Sequence, residues 1–366
     1  MRVRELRETA VLFAISAVFV ALIAGAEVRA LPDGAARLEA PSLFAIGAPA
    51  RAPETGRLPA RRLRAFEDDL WWGGAYATST GERVTVFFWI EYPVDHSAAA
   101  RWAEFFAGLV HGRELGSLRA YVAPPLEVAA ICGSPSALGC YGESKLITIG
   151  ETADGFAPAT IAAHEYGHHV AANRVNAPWL ALDWGTKRWA SGANICTRAA
   201  AGTVFPGNES FLYRLNPGEG FAEAYRVLNE KRAGSVSFEW PLVDSRFIPD
   251  DAALQRIEQD VLQPWSAPTT RTFPARFSVR QARTRPWSLQ VATPLDGDLR
   301  VTLRARSPGY RLTLLSSDRS AVLARGRSAG GGTRTLRYRV CGTRSVVVRV
   351  SGSSAARPSS VQISVP

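Results

Sequence analysis

Ala157-Pro-Ala-Thr-Ile-Ala-Ala-His164-Glu165-Tyr-Gly-His168-His-Val-Ala-Ala-Asn-Arg174 is rich in alanine and carries Pro158 where a first helical turn tolerates it. The stretch predicts one helix. On that helix His164 and His168 stand at i and i+4, so both imidazoles leave the same face one turn apart and can hold one cation. Glu165 is rotated by about 100° from His164. That places it beside the ion without ligating it, where it can take a proton from a metal-bound water. Ile161, Ala162 and Val170 supply an apolar stripe behind the ligands. Gly167 costs about 1 kcal/mol against alanine in a helix, and is read as leaving room near the metal. The chain holds only five histidines; composition alone gives this spacing on the order of a few times per thousand similar chains. The alternative is a surface helix with two idle histidines.

A catalytic zinc takes three protein ligands and keeps its fourth position open. Ala171 and Arg174 stand where the long metzincin motif needs glycine and histidine, so that subclass is excluded. A distant glutamate remains, and Glu219-Gly-Phe-Ala-Glu223-Ala-Tyr-Arg-Val-Leu228 offers one on a second amphipathic helix, with Pro217 near its start. Glu219 and Glu223 again share one face at i and i+4. That suits a ligand followed by a carboxylate that fixes the tautomer of a ligand histidine. An ordinary solvated helix face would carry the same spacing. Asp183, in Leu-Asp-Trp-Gly, competes as third ligand but lacks the Gly-Thr context of aspartate-type zincins.

His-Glu-Tyr-Gly-His followed by Glu-x-Phe-Ala-Glu-Ala-Tyr resembles the gluzincin pattern, most closely the lethal-factor-like branch of secreted bacterial peptidases. The resemblance covers roughly residues 80–232. It implies zinc held by His164, His168 and Glu219, with Glu223 supporting and Glu165 as catalytic base. In that branch a tyrosine shortly before the ligand glutamate stabilises the oxyanion; Tyr213, six residues ahead of Glu219, stands near that place. The Gly-x-Met-Glu-Asn signature of aminopeptidases is missing, because the only methionine is Met1. His169 points off the ligand face and reads as a surface residue or one that supports a ligand; His96 and His111 read as structural.

The first thirty residues read as a signal peptide. Arg2, Arg4 and Arg7 precede an uncharged run from Ala10 to Ala26, and Val28-Arg29-Ala30 fits small-residue cleavage. Secretion is the expectation, with an uncleaved anchor as the alternative. Four cysteines agree with an oxidising compartment. Cys132 and Cys140 bracket a short turn-forming loop and are expected to pair, which leaves Cys196 and Cys341. Four cysteines still permit three pairings. The formal net charge is +10, almost all of it arginine. No basic run with aromatic spacing occurs and no nucleic-acid motif fits. Acidic cell-wall polymers are the expected non-substrate partner, and the chain is expected to be monomeric.

The fold expected is an α+β zincin-like catalytic domain followed by an all-β sandwich. Residues 31–65 read as a flexible linker or pro-segment, 66–267 as the catalytic domain and 268–366 as the sandwich. Val84–Ile90, Leu118–Val122 and Lys145–Ile149 predict strands; Asp95 caps a helix over roughly 97–110; Asp251–Leu262 predicts a last helix. The strand at 145–149 precedes the metal helix, so Leu146–Ile149 is expected to be the edge that pairs with an extended substrate. The stretch 178–217, with Trp179, Trp184 and Trp189, predicts short helices walling a cleft, and packing alone explains the tryptophans equally well. After 270, β-formers alternate between Pro, Gly and Ser turns. Together these features predict a secreted zinc endopeptidase acting on a protein or peptide substrate. The rival is a secreted adhesion protein whose zincin half is structural or inactive.

Overall fold

The computed structural model describes residues 68–234, 243–275, 286–305, 309–352 and 359–366. The expected signal peptide and linker lie outside them. The chain is a mixed α+β protein with several sheets, one region being sandwich-like. No helix among the described residues is long and apolar enough to cross a membrane.

The first sheet holds β1 (Trp71–Ala77), β2 (Arg83–Trp89), β3 (Arg119–Ala123), β4 (Gly139–Gly142) and β5 (Lys145–Ile149). They lie side by side in the order β1-β2-β3-β5-β4. The pairings β2/β3 and β3/β5 are parallel, while β1/β2 and β4/β5 are antiparallel. Helix α1 (His96–Gly108) starts at Asp95, whose carboxylate accepts from the Ser97 and Ala98 amides. A Ser, Asp or Asn at that position satisfies amides the helix leaves orphaned. Helix α2 (Pro125–Cys132) precedes β4, and the Cys132–Cys140 disulfide ties its end to that strand.

This arrangement corrects one expectation. Leu146–Ile149 is not an edge, because both sides of β5 are already paired, with β3 and with β4. The edge strand on this side of the sheet is β4, which the sequence leaves nearly unreadable: it is four residues long, Gly-Cys-Tyr-Gly. Chain order misleads here, since β4 precedes β5 in sequence yet lies outside it in the sheet.

The metal-motif helix is α3 (Pro158–Ala172). After it come a two-residue hairpin, β6 (Val175–Asn176) with β7 (Trp179–Leu180), and three short helices, α4 (Ala181–Trp184), α5 (Lys187–Gly192) and α6 (Ile195–Ala200). Trp189 is buried in the core against Phe221, so it packs instead of walling a cleft; Trp179 and Trp184 stack on each other, half-buried. Helix α7 (Pro217–Ala233) begins at Asn216, which caps the Gly218 amide, and ends at Gly234 in the left-handed region. Helix α8 is Asp251–Leu262. Ile161, Ala162 and Val170 are buried as expected.

The sandwich-like region has a five-stranded sheet and a four-stranded one. The first runs β13 (Arg327–Ser328), β14 (Thr333–Val340), β10 (Gly297–Arg304), β16 (Ser359–Val365), β8 (Thr269–Ala275); the second runs β12 (Val322–Arg325), β11 (Tyr310–Ser316), β15 (Ser345–Gly352), β9 (Trp287–Ala292). Alternate residues of β10 and β15 face inward to a separate apolar core that includes Leu299, Val301, Val346 and Val348. A second disulfide, Cys196–Cys341, joins α6 to this region. Both bridges match the expected pairing.

Candidate metal centre

Helices α3 and α7 cross where Gly167 meets Ala222. A Cβ on Gly167 would lie 2.7 Å from the Ala222 Cα, so only glycine admits this approach. The glycine therefore makes room for the second helix, not for an ion. The close crossing sets His164, Glu165 and His168 of α3 opposite Glu219 and Glu223 of α7, all of them buried.

Five buried ionisable side chains would be costly unless they satisfy one another. Here they do. Glu219 Oε2 lies 3.2 Å from His164 Nε2 and 3.3 Å from His168 Nε2, and the Tyr213 hydroxyl donates to the same oxygen at 2.5 Å. The other nitrogen of His164, Nδ1, lies 3.0 Å from Glu223 Oε2. That contact fixes the ring and leaves Nε2 facing the centre. Glu223 is held in turn by Arg226, whose Nε and terminal nitrogen donate at 3.0 and 2.7 Å to its two oxygens. Arg226 also donates to Glu230.

These neighbours bias the protons. Burial alone would lower the His164 pKa, but hydrogen bonds to Glu219 and Glu223 outweigh it and raise the group to about 10. His168 is also raised: Glu219 overcomes the cost of burial. Burial would raise the Glu219 carboxyl, yet His168 and His164 hold it below its ordinary range. Glu223 is lowered as well, Arg226 overriding burial. Glu165 goes the opposite way. Burial raises it, only partly opposed by the two histidines, and it makes no hydrogen bond among the described residues. Its carboxylate lies against β4: a Cβ on Gly139 would fall 2.8 Å from Glu165 Oε1.

Of the residues singled out in the sequence, His164, Glu165, His168, Tyr213, Glu219 and Glu223 come together. Among the described residues, one nitrogen from each of His164 and His168 and one Glu219 oxygen lie mutually within 4.8 Å, the group that could hold an ion. Asp183 is not in that group. His169 is fully buried, its Nε2 2.8 Å from the Glu114 carbonyl and its Nδ1 3.1 Å from the Tyr141 hydroxyl. It is a satisfied core histidine, not a surface one. His96 contacts the Tyr76 hydroxyl and His111 the Ala107 carbonyl. Sequence reasoning missed Arg226, although a cation three residues after Glu223 is the spacing at which helix side chains pair. It missed Gly139 too, and nothing local to that glycine announces its neighbour.

No protein-family model matches the chain, and a search of curated proteins finds no match either.

Proposed function

We propose that the chain is an exported zinc-dependent endopeptidase of gluzincin type. One observation carries this reading: two imidazoles and a carboxylate converge on a single point, with an unpaired carboxylate, Glu165, on the adjacent helix face. The donor set fits zinc. Tetrahedral ligands about 2.1 Å from the ion lie roughly 3.4 Å apart, and the two His–Glu219 separations are 3.2 and 3.3 Å. His164, His168 and Glu219 would be the ligands. Zinc bound there would act as a Lewis acid and make water acidic near neutral pH.

The chain's own groups do the rest. Glu165, raised by its buried setting, is suited to accept a proton from the attacking water and pass one to the leaving amine. Glu223, clamped by Arg226, keeps His164 in the tautomer that presents Nε2. Tyr213, whose hydroxyl donates to Glu219, would turn from it to the oxyanion. The edge strand β4, lying against Glu165, would replace β5 as the strand along which an extended peptide pairs. Two disulfides agree with export to an oxidising compartment.

The test is cleavage of a mixed peptide library by zinc-loaded protein beside Glu165→Gln. Wild-type cleavage is expected to fall by at least about 100-fold in the variant, with bound zinc unchanged by atomic absorption. Equal cleavage by both proteins would reject Glu165 as the base, and no cleavage by either would reject the peptidase reading.

A further inference from the structure

A concave site lies away from the metal centre, at the seam between α5, α8 and the loop preceding β10. It is a cleft of about 520 Å³. Three of its lining residues are arginines, Arg188, Arg256 and Arg344, and none is acidic. Two of the three are held from behind by buried carboxylates. Arg188 donates to Asp260 Oδ1 at 2.8 Å, and Arg344 donates to Asp296 Oδ1 at 2.5 Å. Arg344 also reaches the Ser191 carbonyl at 2.6 Å, which fixes its plane.

Arg256 differs. It is half-buried on α8 and has no ion pair or hydrogen bond among the described residues. Its side chain lies across Gly192, where a Cβ would come within 2.7 Å of its Cδ and Nε. With two charges answered by Asp260 and Asp296, Arg256 leaves the cleft one net positive charge and a free guanidinium fork. Such a fork matches carboxylate, sulfate or phosphate in two-point contact.

The remaining lining says what carries the anion. Asn194 accepts from Arg344 through Oδ1, so its amide hydrogens are free to donate, and Gln259 adds an exposed amide to the lining. Pro294 and Leu295 give one apolar edge. The volume falls in the range of about 300–1,000 Å³ that holds a small organic ligand, far more than a lone oxyanion fills. Amides, an apolar edge and an arginine fork are the contacts a ring bearing hydroxyls and one acidic group requires.

We propose that this cleft binds a short acidic saccharide, with Arg256 taking its sulfate or carboxylate. The site stands independently of the metal centre and of any peptidase activity. In a protein of net charge +10, it would hold the molecule on an acidic polymer through a defined pocket in addition to diffuse attraction.

Calorimetry on the intact protein tests this with three probes: a sulfated disaccharide, a galacturonate disaccharide and inorganic sulfate. At least one disaccharide is expected to bind at a single site more tightly than inorganic sulfate. Which one does so identifies the acidic group. Arg256→Gln is expected to weaken that binding about tenfold, as loss of one charge-assisted contact does. Gly192→Ala keeps every charge but displaces the Arg256 side chain, and is expected to weaken it too. Arg300→Gln, on an exposed β10 position outside the cleft, is expected to leave it unchanged. Arg256 has no partner to lose, so circular dichroism should be unaltered in its variant. Saturable binding that survives Arg256→Gln, disaccharide affinity no better than that of sulfate, or no binding at all overturns the proposal.

Discussion

Glu223 never needs to touch an ion to matter. It is fully buried, takes His164 Nδ1 at 3.0 Å, and is gripped by Arg226 at both oxygens. Glu223→Gln keeps the shape but weakens the acceptor, and is expected to lower zinc affinity roughly 10–100-fold. Competition with a fluorescent chelator measures that directly; an unchanged affinity would leave Glu223 a purely structural partner of Arg226. His168→Ala removes one of the three converging atoms and should lose zinc altogether under the same assay. The residue scale was the most legible in the sequence. Helical spacing puts His164 with His168, and Glu219 with Glu223, on shared faces; the resemblance to the gluzincin pattern, not spacing, joins the two pairs and singles out Glu165. Arg226 and Gly139 act through neighbours that only the packed structure supplies.

At the scale of elements, the α3/α7 crossing is the joint on which the centre depends. Gly167→Ala sets a Cβ 2.7 Å from backbone, which cannot swing aside as a side chain would. Overpacking of this kind costs typically about 1–3 kcal/mol, so a lowered denaturation midpoint is expected, with zinc affinity falling as α7 retreats. Gly139→Ala meets flexible atoms instead, Ile161 Cγ2 and Glu165 Oε1, at 2.6 and 2.8 Å. It should displace Glu165 and reduce turnover while zinc content holds. Helices carrying strong boundary signals were readable: Asp95 caps α1, and Pro158 and Pro217 open α3 and α7. The last helix, α8, has the predicted bounds, and β5 likewise. Strand β1 was not readable, since Trp-Trp-Gly-Gly-Ala-Tyr-Ala breaks apolar alternation with two glycines. Strand order lay beyond local pattern, because it is set by which edges remain to be covered once the sheet assembles.

For the whole molecule, the seam between the helical part and the sandwich is built of buried polar groups. Lys187 is 1% exposed, donates from Nζ to the Ala177 carbonyl at 2.7 Å, and lies over the Trp265 ring. Burial lowers its pKa from the ordinary 10.5 to about 8, against the pull of Asp296, Asp298 and Asp260. Between pH 8 and 10.5 the unfolded chain therefore holds a proton that the folded chain has released. Stability contributed by this group should rise across that window and be flat below it. The rise is at most about 1.4 kcal/mol for each pH unit crossed. Thermal melts of wild type against Lys187→Met at about pH 7.5 and about pH 9.5, on either side of the folded-state value, would show wild type gaining on the variant as pH rises. A constant difference would place the proton elsewhere.

The Cys196–Cys341 bridge spans 145 residues, against 8 for Cys132–Cys140. Chain entropy gives the longer loop the larger stabilisation, about 5 against about 2.5 kcal/mol. Length also imposes a calendar. A chain made or threaded amino-terminus first exposes Cys132, Cys140 and Cys196 well before Cys341, so three thiols meet while their fourth is still absent. The near pair can close at once, and Cys196 must wait. The thiol that waits is a marker of unfinished molecules: a chain ending before Cys341 should carry one alkylatable cysteine, and the finished chain none.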